Sequence, residues 1–266
     1  MAMNPNAASL SMPGPMAWAC SVALCMALWG CGSMFSMTTD DIARGYLPDV
    51  RYVHHPDSLV DLRLDPAPDS VAVTLDQQLA QMTRKWSAAP NVRHRGPGFS
   101  ERTFATLISR ELALAHTATA FGTDDLSASV AASLFEQAEA DYQEFVVIDL
   151  HLFAPHMMDA NPSYSNIRFN LEVDDTLSVA PVDVVTHGRP QRSTLENQRG
   201  PGAEYLYYMR SSLVFPRRDE DGSDRIADAN SVRLYITILS RMGARSFFDW
   251  RFDASGPTLS TNAPGS

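Results

Sequence analysis

The chain has 266 residues, with 31 acidic against 21 basic and a formal net charge of −10. An acidic balance of that size excludes nucleic acid and anionic headgroups as general partners, because both need basic surface. The apolar share of 45% is ordinary for a globular chain, so a buried core is expected.

The first predicted element is the uncharged run Ala17 to Cys31, AWACSVALCMALWGC. Its apolar part, Ala17 to Trp29, has the length of a signal-peptide core rather than of a membrane span. Leu28, Gly30 and Cys31 resemble the lipobox of bacterial lipoproteins, which reads roughly Leu-small-Gly/Ala-Cys; Trp29 stands where that pattern has a small residue. The resemblance covers residues 1–31. It implies that 1–30 are a signal peptide, that cleavage falls between Gly30 and Cys31, and that the Cys31 thiol carries a diacylglyceryl group. Alkylation calls for a thiolate, the best nucleophile among side chains. The implied partner is a membrane, reached through lipid on Cys31. The implied location is the bacterial cell envelope, on the periplasmic or the exposed face. Gly32, rather than Asp, after the cysteine is similar to lipoproteins passed on to the outer membrane. The alternatives are an ordinary secretory signal and an uncleaved anchor, the latter since no Lys or Arg precedes Arg44 and Met16 to Met37 is long enough to span with tilt. All three cysteines, Cys20, Cys25 and Cys31, fall in this run. Removal of 1–30 therefore leaves a chain without disulfides, thiol catalysis or cysteine zinc sites.

Residues 31–70 read as a tether, with prolines 48, 56, 66 and 68 set among seven aspartates. Tyr46 to Val53 and Leu59 to Leu64 are its parts able to pack as an edge strand. His54 and His55 point apart in an extended chain and read as solvated loop histidines. A helical segment is predicted over 71–143. Thr74 with Gln77 fits a capping box, and Leu75, Leu79, Met82 and Trp86 follow at helical spacing. Pro90 closes that helix. Ser100 caps a second, striped by Phe104, Leu107, Ile108, Leu112 and Ala115 and stopped by Gly122. Asp124 or Asp125 caps a third, striped by Leu126, Val130, Leu134 and Ala138. The short connection predicts antiparallel packing of the last two.

At Glu144 the apolar period changes to two. Strands are predicted over Phe145 to Phe153, Ile167 to Val173, Leu177 to Thr186, Tyr205 to Phe215, Val232 to Ile238 and Ser246 to Phe252. Pro181 makes the third an edge or bulged strand, and the last two form a hairpin. The expected fold class is α+β, with about three N-terminal helices followed by an antiparallel β-sandwich of about six to eight strands over 144–253. Residues 254–266 read as a disordered tail.

P-loop, GxGxxG, GxSxG, HExxH and Ser-x-x-Lys signatures are absent from the sequence. Asp149 and His151 share a strand face, and His156 follows. A carboxylate beside a histidine suits a general base or a metal site, and equally suits a satisfied polar contact. Asp219, Asp221 and Asp224 around Gly222 resemble a calcium loop, but neighbouring arginines compete for the carboxylates. Arg84, Lys85, Arg93, His94, Arg95 and Arg102 form a basic neighbourhood that suits phosphate-bearing lipid or glycan, or internal pairing. Tyr205, Tyr207, Tyr208, Tyr235, Phe247 and Trp250 suit a core first and sugar stacking second. The sequence points to a lipid-anchored envelope protein with a non-catalytic binding or structural module and a protein or glycan partner. The alternative is a hydrolase or metal-dependent enzyme using Asp149 and His151. No cofactor is implied.

Overall fold

The computed structural model describes residues 42, 47–67, 70–75, 78–91, 102–121, 127–163, 167–193, 206–239 and 244–253. The run ending in Cys31 lies outside the described residues, as do Arg93, His94, Arg95, Ser100, Asp124, Asp125, Tyr205 and the tail from Ala254.

The molecule mixes helices with two main sheets that are mostly antiparallel. In chain order the strands are β1 (Val50–Val53), β2 (Leu62–Ala67), β3 (Ser70–Leu75), β4 (Ser87–Ala88), β5 (Phe104–Leu107), β6 (Phe145–Ala154), β7 (Ile167–Val173), β8 (Leu177–Val179), β9 (Asp183–Thr186), β10 (Gln191–Arg192), β11 (Tyr207–Pro216), β12 (Ser231–Ile238) and β13 (Ala244–Phe252). The helices are α1 (Leu79–Lys85), α2 (Arg110–Phe121) and α3 (Ala128–Glu144). One sheet runs β1-β13-β12-β7-β8, and the other runs β10-β11-β6-β5-β4 with β9 also paired to β11. β2 and β3 form a separate hairpin. β1 joins β13 in parallel. No helix among the described residues is long and apolar enough to cross a membrane.

The expected block of N-terminal helices is corrected. Three strands precede α1, and β4 and β5 separate α1 from α2. Thr74 lies in β3, and the helix that follows starts at Leu79, with Gln78 at its N-cap position. Phe104 to Leu107, expected inside a helix, is β5, fully buried between β4 and β6. Phe104, Leu107 and Ile108 happen to repeat at three and four, and tertiary pairing overrides that local pattern. The true N-cap of α2 is Ser109, whose Oγ accepts the Leu112 N–H at 3.3 Å. The stripe of α3 is displaced by a residue or so: Ala131, Phe135, Ala138 and Tyr142 are buried, whereas Val130 is exposed. α2 and α3 do pack together, and Arg110 at the start of one pairs with Glu139 late in the other, as antiparallel neighbours require.

The second half follows its pattern closely. α3 ends at Glu144 and β6 starts at the next residue. β7 alternates buried Ile167, Phe169, Leu171 and Val173 with more exposed polar residues. The strand expected over Leu177 to Thr186 divides at Pro181: β8 pairs β7 in one sheet and β9 pairs β11 in the other. Inner residues of both sheets share one core, including Ile148, Leu150, Leu213 and Phe215 with Leu171, Leu234, Phe248 and Trp250. Trp250 Nε1 donates to the Trp86 carbonyl at 2.9 Å, which satisfies the one polar atom of a fully buried side chain.

Much of the segment read as a tether is built into this body. Beyond β1, Pro56 accepts the Arg110 N–H through its carbonyl, and Asp57 and Asp61 bond elsewhere in the fold. His54 and His55 are not solvated loop residues: His54 lies against Glu111 and edge-on to Trp86, and His55 meets the Ile226 carbonyl and Phe252.

Candidate functional site

The pleat puts Asp149 and His151 on the face of β6 opposite to Ile148, Leu150 and Leu152. Antiparallel register then sets Ser212 beside Asp149 and Arg210 beside His151 on β11, with Thr106 and Phe104 beside them on β5. The expected pair thus gains a cross-strand polar cluster.

Its centre is the Asp149 carboxylate, 6% exposed. One oxygen accepts the Ser212 hydroxyl at 2.6 Å, and the other takes the Arg210 Nη2 at 2.6 Å. Burial works to raise the Asp149 pKa, but Arg210 and the Ser212 hydroxyl outweigh it and hold the carboxyl well below the usual range. His187 Nε2 is 2.8 Å from Ser212 Oγ. His151 stacks flat on Phe104, with centroids 4.2 Å apart, and its Nδ1 meets the Tyr208 hydroxyl at 3.0 Å. Burial, reinforced by the Arg210 charge, lowers the His151 pKa to about 3. Burial lowers His116, on α2, to about 4, although Asp149 pulls the other way. Both rings are neutral at physiological pH.

A serine, a histidine and an aspartate in contact invite comparison with a nucleophilic triad, but the order is wrong. A hydroxyl has one proton, and an ionised carboxylate only accepts. At 2.6 Å the Ser212 proton therefore goes to Asp149. His187 is left to donate from Nε2 to Ser212 Oγ, so it does not act as base on that hydroxyl in this arrangement. The depressed Asp149 is itself a weak base. The cluster's chemistry is that of a polar lock across β6 and β11, in which both Asp149 oxygens are taken. His156, the third residue singled out from sequence, stands apart: it is exposed in the turn after β6, where its carbonyl accepts the Asp159 and Ala160 N–H groups.

The acidic loop is also self-paired. Asp224 bonds the buried Arg217 at 2.9 Å, Asp219 pairs with Arg225, and Asp221 accepts the Ser223 N–H. Arg217 is shared with Asp57 and lies over the Tyr142 ring. Among the described residues, no group of three or more His, Cys, Asp or Glu side chains is placed to hold a metal ion. Of the basic neighbourhood, Lys85 pairs with Asp61, and the Arg84 and Lys85 carbonyls accept from Arg51.

A second buried carboxylate was not singled out by the sequence. Glu111, on α2, is fully buried. It accepts the Val60 and Asp61 backbone N–H groups at 3.1 and 3.0 Å and the Trp86 indole at 2.9 Å, with His54 Nε2 at 2.9 Å. Burial works to raise its pKa, but these donors more than offset that and hold it at about 2. Three hydrogen bonds and the His54 contact on two oxygens make Glu111 a clasp for 54–61.

The other sheet presents a different outer face. Tyr235 and Phe247 stand opposite each other on β12 and β13, with Arg245 stacked 3.7 Å from the Tyr235 centroid and Arg233 over Phe247. Trp250, by contrast, is core. Beside this face, an open groove of about 590 Å3 lies between Ile167–Asn170 and Pro181–Val184. It follows an edge of β7 that no described strand pairs, since β8 pairs only with Leu171 to Val173.

Comparison with known proteins gives no relative: no protein family, no curated protein and no solved structure matches the chain.

Proposed function

We propose that the protein is a lipid-anchored component of the bacterial cell envelope, and that its folded part is a β-sandwich acting as a binding or structural module rather than a catalyst. The anchor reading rests on Leu28, Gly30 and Cys31, and on the confinement of all three cysteines to the run that ends there. The non-catalytic reading is carried by one observation: both Asp149 oxygens are occupied, by Ser212 and by Arg210. The sandwich reading is supported by the alternating inner faces of the two sheets, which meet in one apolar core. Surface available to a partner lies instead along the open groove and the arginine-bearing face of β7, β12 and β13.

The anchor is tested by labelling cells with a palmitate analogue. The wild type should carry the label and Cys31→Ser should not; label that survives the substitution sinks the anchored reading. A second reading, an envelope hydrolase built on Asp149 and His151, is favoured only by the contact of Ser212 with His187. It requires that Ser212→Ala abolish a hydrolytic activity that the wild type displays.

A further inference from the structure

The outer face of β7, β12 and β13 carries a short cationic row. Thr237 stands directly opposite Arg168 on β7 and directly opposite Arg245 on β13, so the three side chains lie abreast. Neighbouring strands are about 4.8 Å apart, which sets the two arginines about 10 Å apart with a hydroxyl between them. Both arginines are exposed. Neither has a carboxylate within ion-pairing distance among the described residues, in a chain with ten more acidic than basic side chains (31 against 21). The next arginine on the same face behaves differently: Arg233 is shared among Glu172, Asp175 and Asp249. Arg245 is held in place by its stack on Tyr235. Stacking occupies the guanidinium face and leaves its in-plane N–H donors directed outward.

We propose that the row Arg168–Thr237–Arg245 binds an anionic saccharide chain, with acidic groups held by the two guanidinium groups and the chain continuing past Arg168 and Asn170 into the groove. This rests on the binding-module reading above and names its ligand class. Charge is the determinant, because the ring faces that a neutral sugar would stack on are covered by the protein's own arginines. A linear polymer fits better than a bilayer. A flat anionic surface would face the whole domain of net charge −10 and be repelled, whereas a narrow chain meets only the row. Arg168 and Asn170 belong both to this face and to the groove wall, which gives an extended ligand a continuous path.

The test titrates the full acylated chain in detergent micelles with dextran sulfate, polygalacturonate and neutral dextran, and separately with anionic lipid vesicles. The two anionic polymers should bind with marked salt dependence and neutral dextran should not. The Arg168→Gln/Arg245→Gln double variant should bind about tenfold more weakly. Arg189→Gln, at an exposed turn, should bind as the wild type does. Equal binding of neutral dextran, binding unchanged in the double variant, capture of vesicles in preference to polymer, or no binding at all overturns the proposal and leaves the anchored module standing. Shortening of a bound polymer that stops in Asp149→Asn overturns the non-catalytic reading instead and leaves the ligand class intact.

Discussion

The outer faces of the two sheets treat charge in opposite ways. On β6 and β11 the Asp149 carboxylate is answered by Ser212 directly across the ladder and by Arg210 diagonally, and His187 closes on Ser212 from beyond the end of β9. On β7, β12 and β13 the aromatic rings are covered by arginines, and Arg168 and Arg245 are exposed without a carboxylate partner among the described residues. A perturbed carboxylate is the usual pointer to a catalytic site. Here the perturbation at Asp149 arises from partners that already occupy both of its oxygens, and the open chemistry lies on the other sheet. Glu111 repeats the lesson, because its low pKa reflects three donors and the His54 contact converging on it from distant segments.

The sharpest way to break this contrast is to open the closed face. Asp149→Ala strands the Arg210 guanidinium and the Ser212 hydroxyl, and should cost about 3 kcal/mol in urea denaturation. Replacing both members, Asp149→Leu with Arg210→Met, should restore most of that loss, because an apolar pair of similar volume needs no compensation. A full-strength single variant would mean that the pair is not a lock, and would reopen its use in chemistry.

Glu111 sharpens the same point through pH. Its folded pKa of about 2 lies below its ordinary 4.5, so its contribution is fully present above about 4.5 and is lost as pH falls through about 2. Stability measured at pH 7 and again near pH 2 should differ by about 2–3 kcal/mol on its account. Glu111→Gln should be weaker at pH 7 by a similar amount, and the gap to wild type should close at low pH. A constant gap across that range would show that shape, not charge, is what 54–61 requires.

What the sequence made legible follows from where the determining contacts lie. β7 and β12 were readable because alternation within seven or eight residues decides which face is buried, and the contact that matters is with the next strand of the same kind. The junction at Glu144 was readable because the period itself changes there. β5 was not, because four buried residues in a row have no period, and only β4 and β6 tell them to extend. At the polar cluster, Asp149 and His151 were visible as an alternating pair. Arg210 and Ser212 alternate in the same way on the facing strand, and matching the two stripes was the signal left unused. Glu111 offered no such signal, since the nearest of its side-chain partners in sequence is Trp86, 25 residues away.

A smaller effect checks the corrected start of α2, on which the position of Glu111 depends. Ser109→Ala removes the acceptor for the Leu112 N–H and should cost about 1 kcal/mol by thermal unfolding. A neutral result would return the capping role to some other group and loosen the argument that Glu111 is fixed from its own helix terminus.

The smallest expected effect is the most discriminating between the two faces. Arg245→Gln removes a stacked, exposed guanidinium that no carboxylate among the described residues answers, so its stability should stay within about 0.5 kcal/mol of wild type. Arg210→Gln, on the other face, should lose several times as much, because it leaves Asp149 buried and half answered. If the two losses prove equal, Arg245 is as structural as Arg210, and its exposure ceases to argue for a ligand. If they differ as expected, Arg245, unlike Arg233 beside it, is free of any duty to the fold. Its place on the surface of an acidic chain is then explained by what it binds.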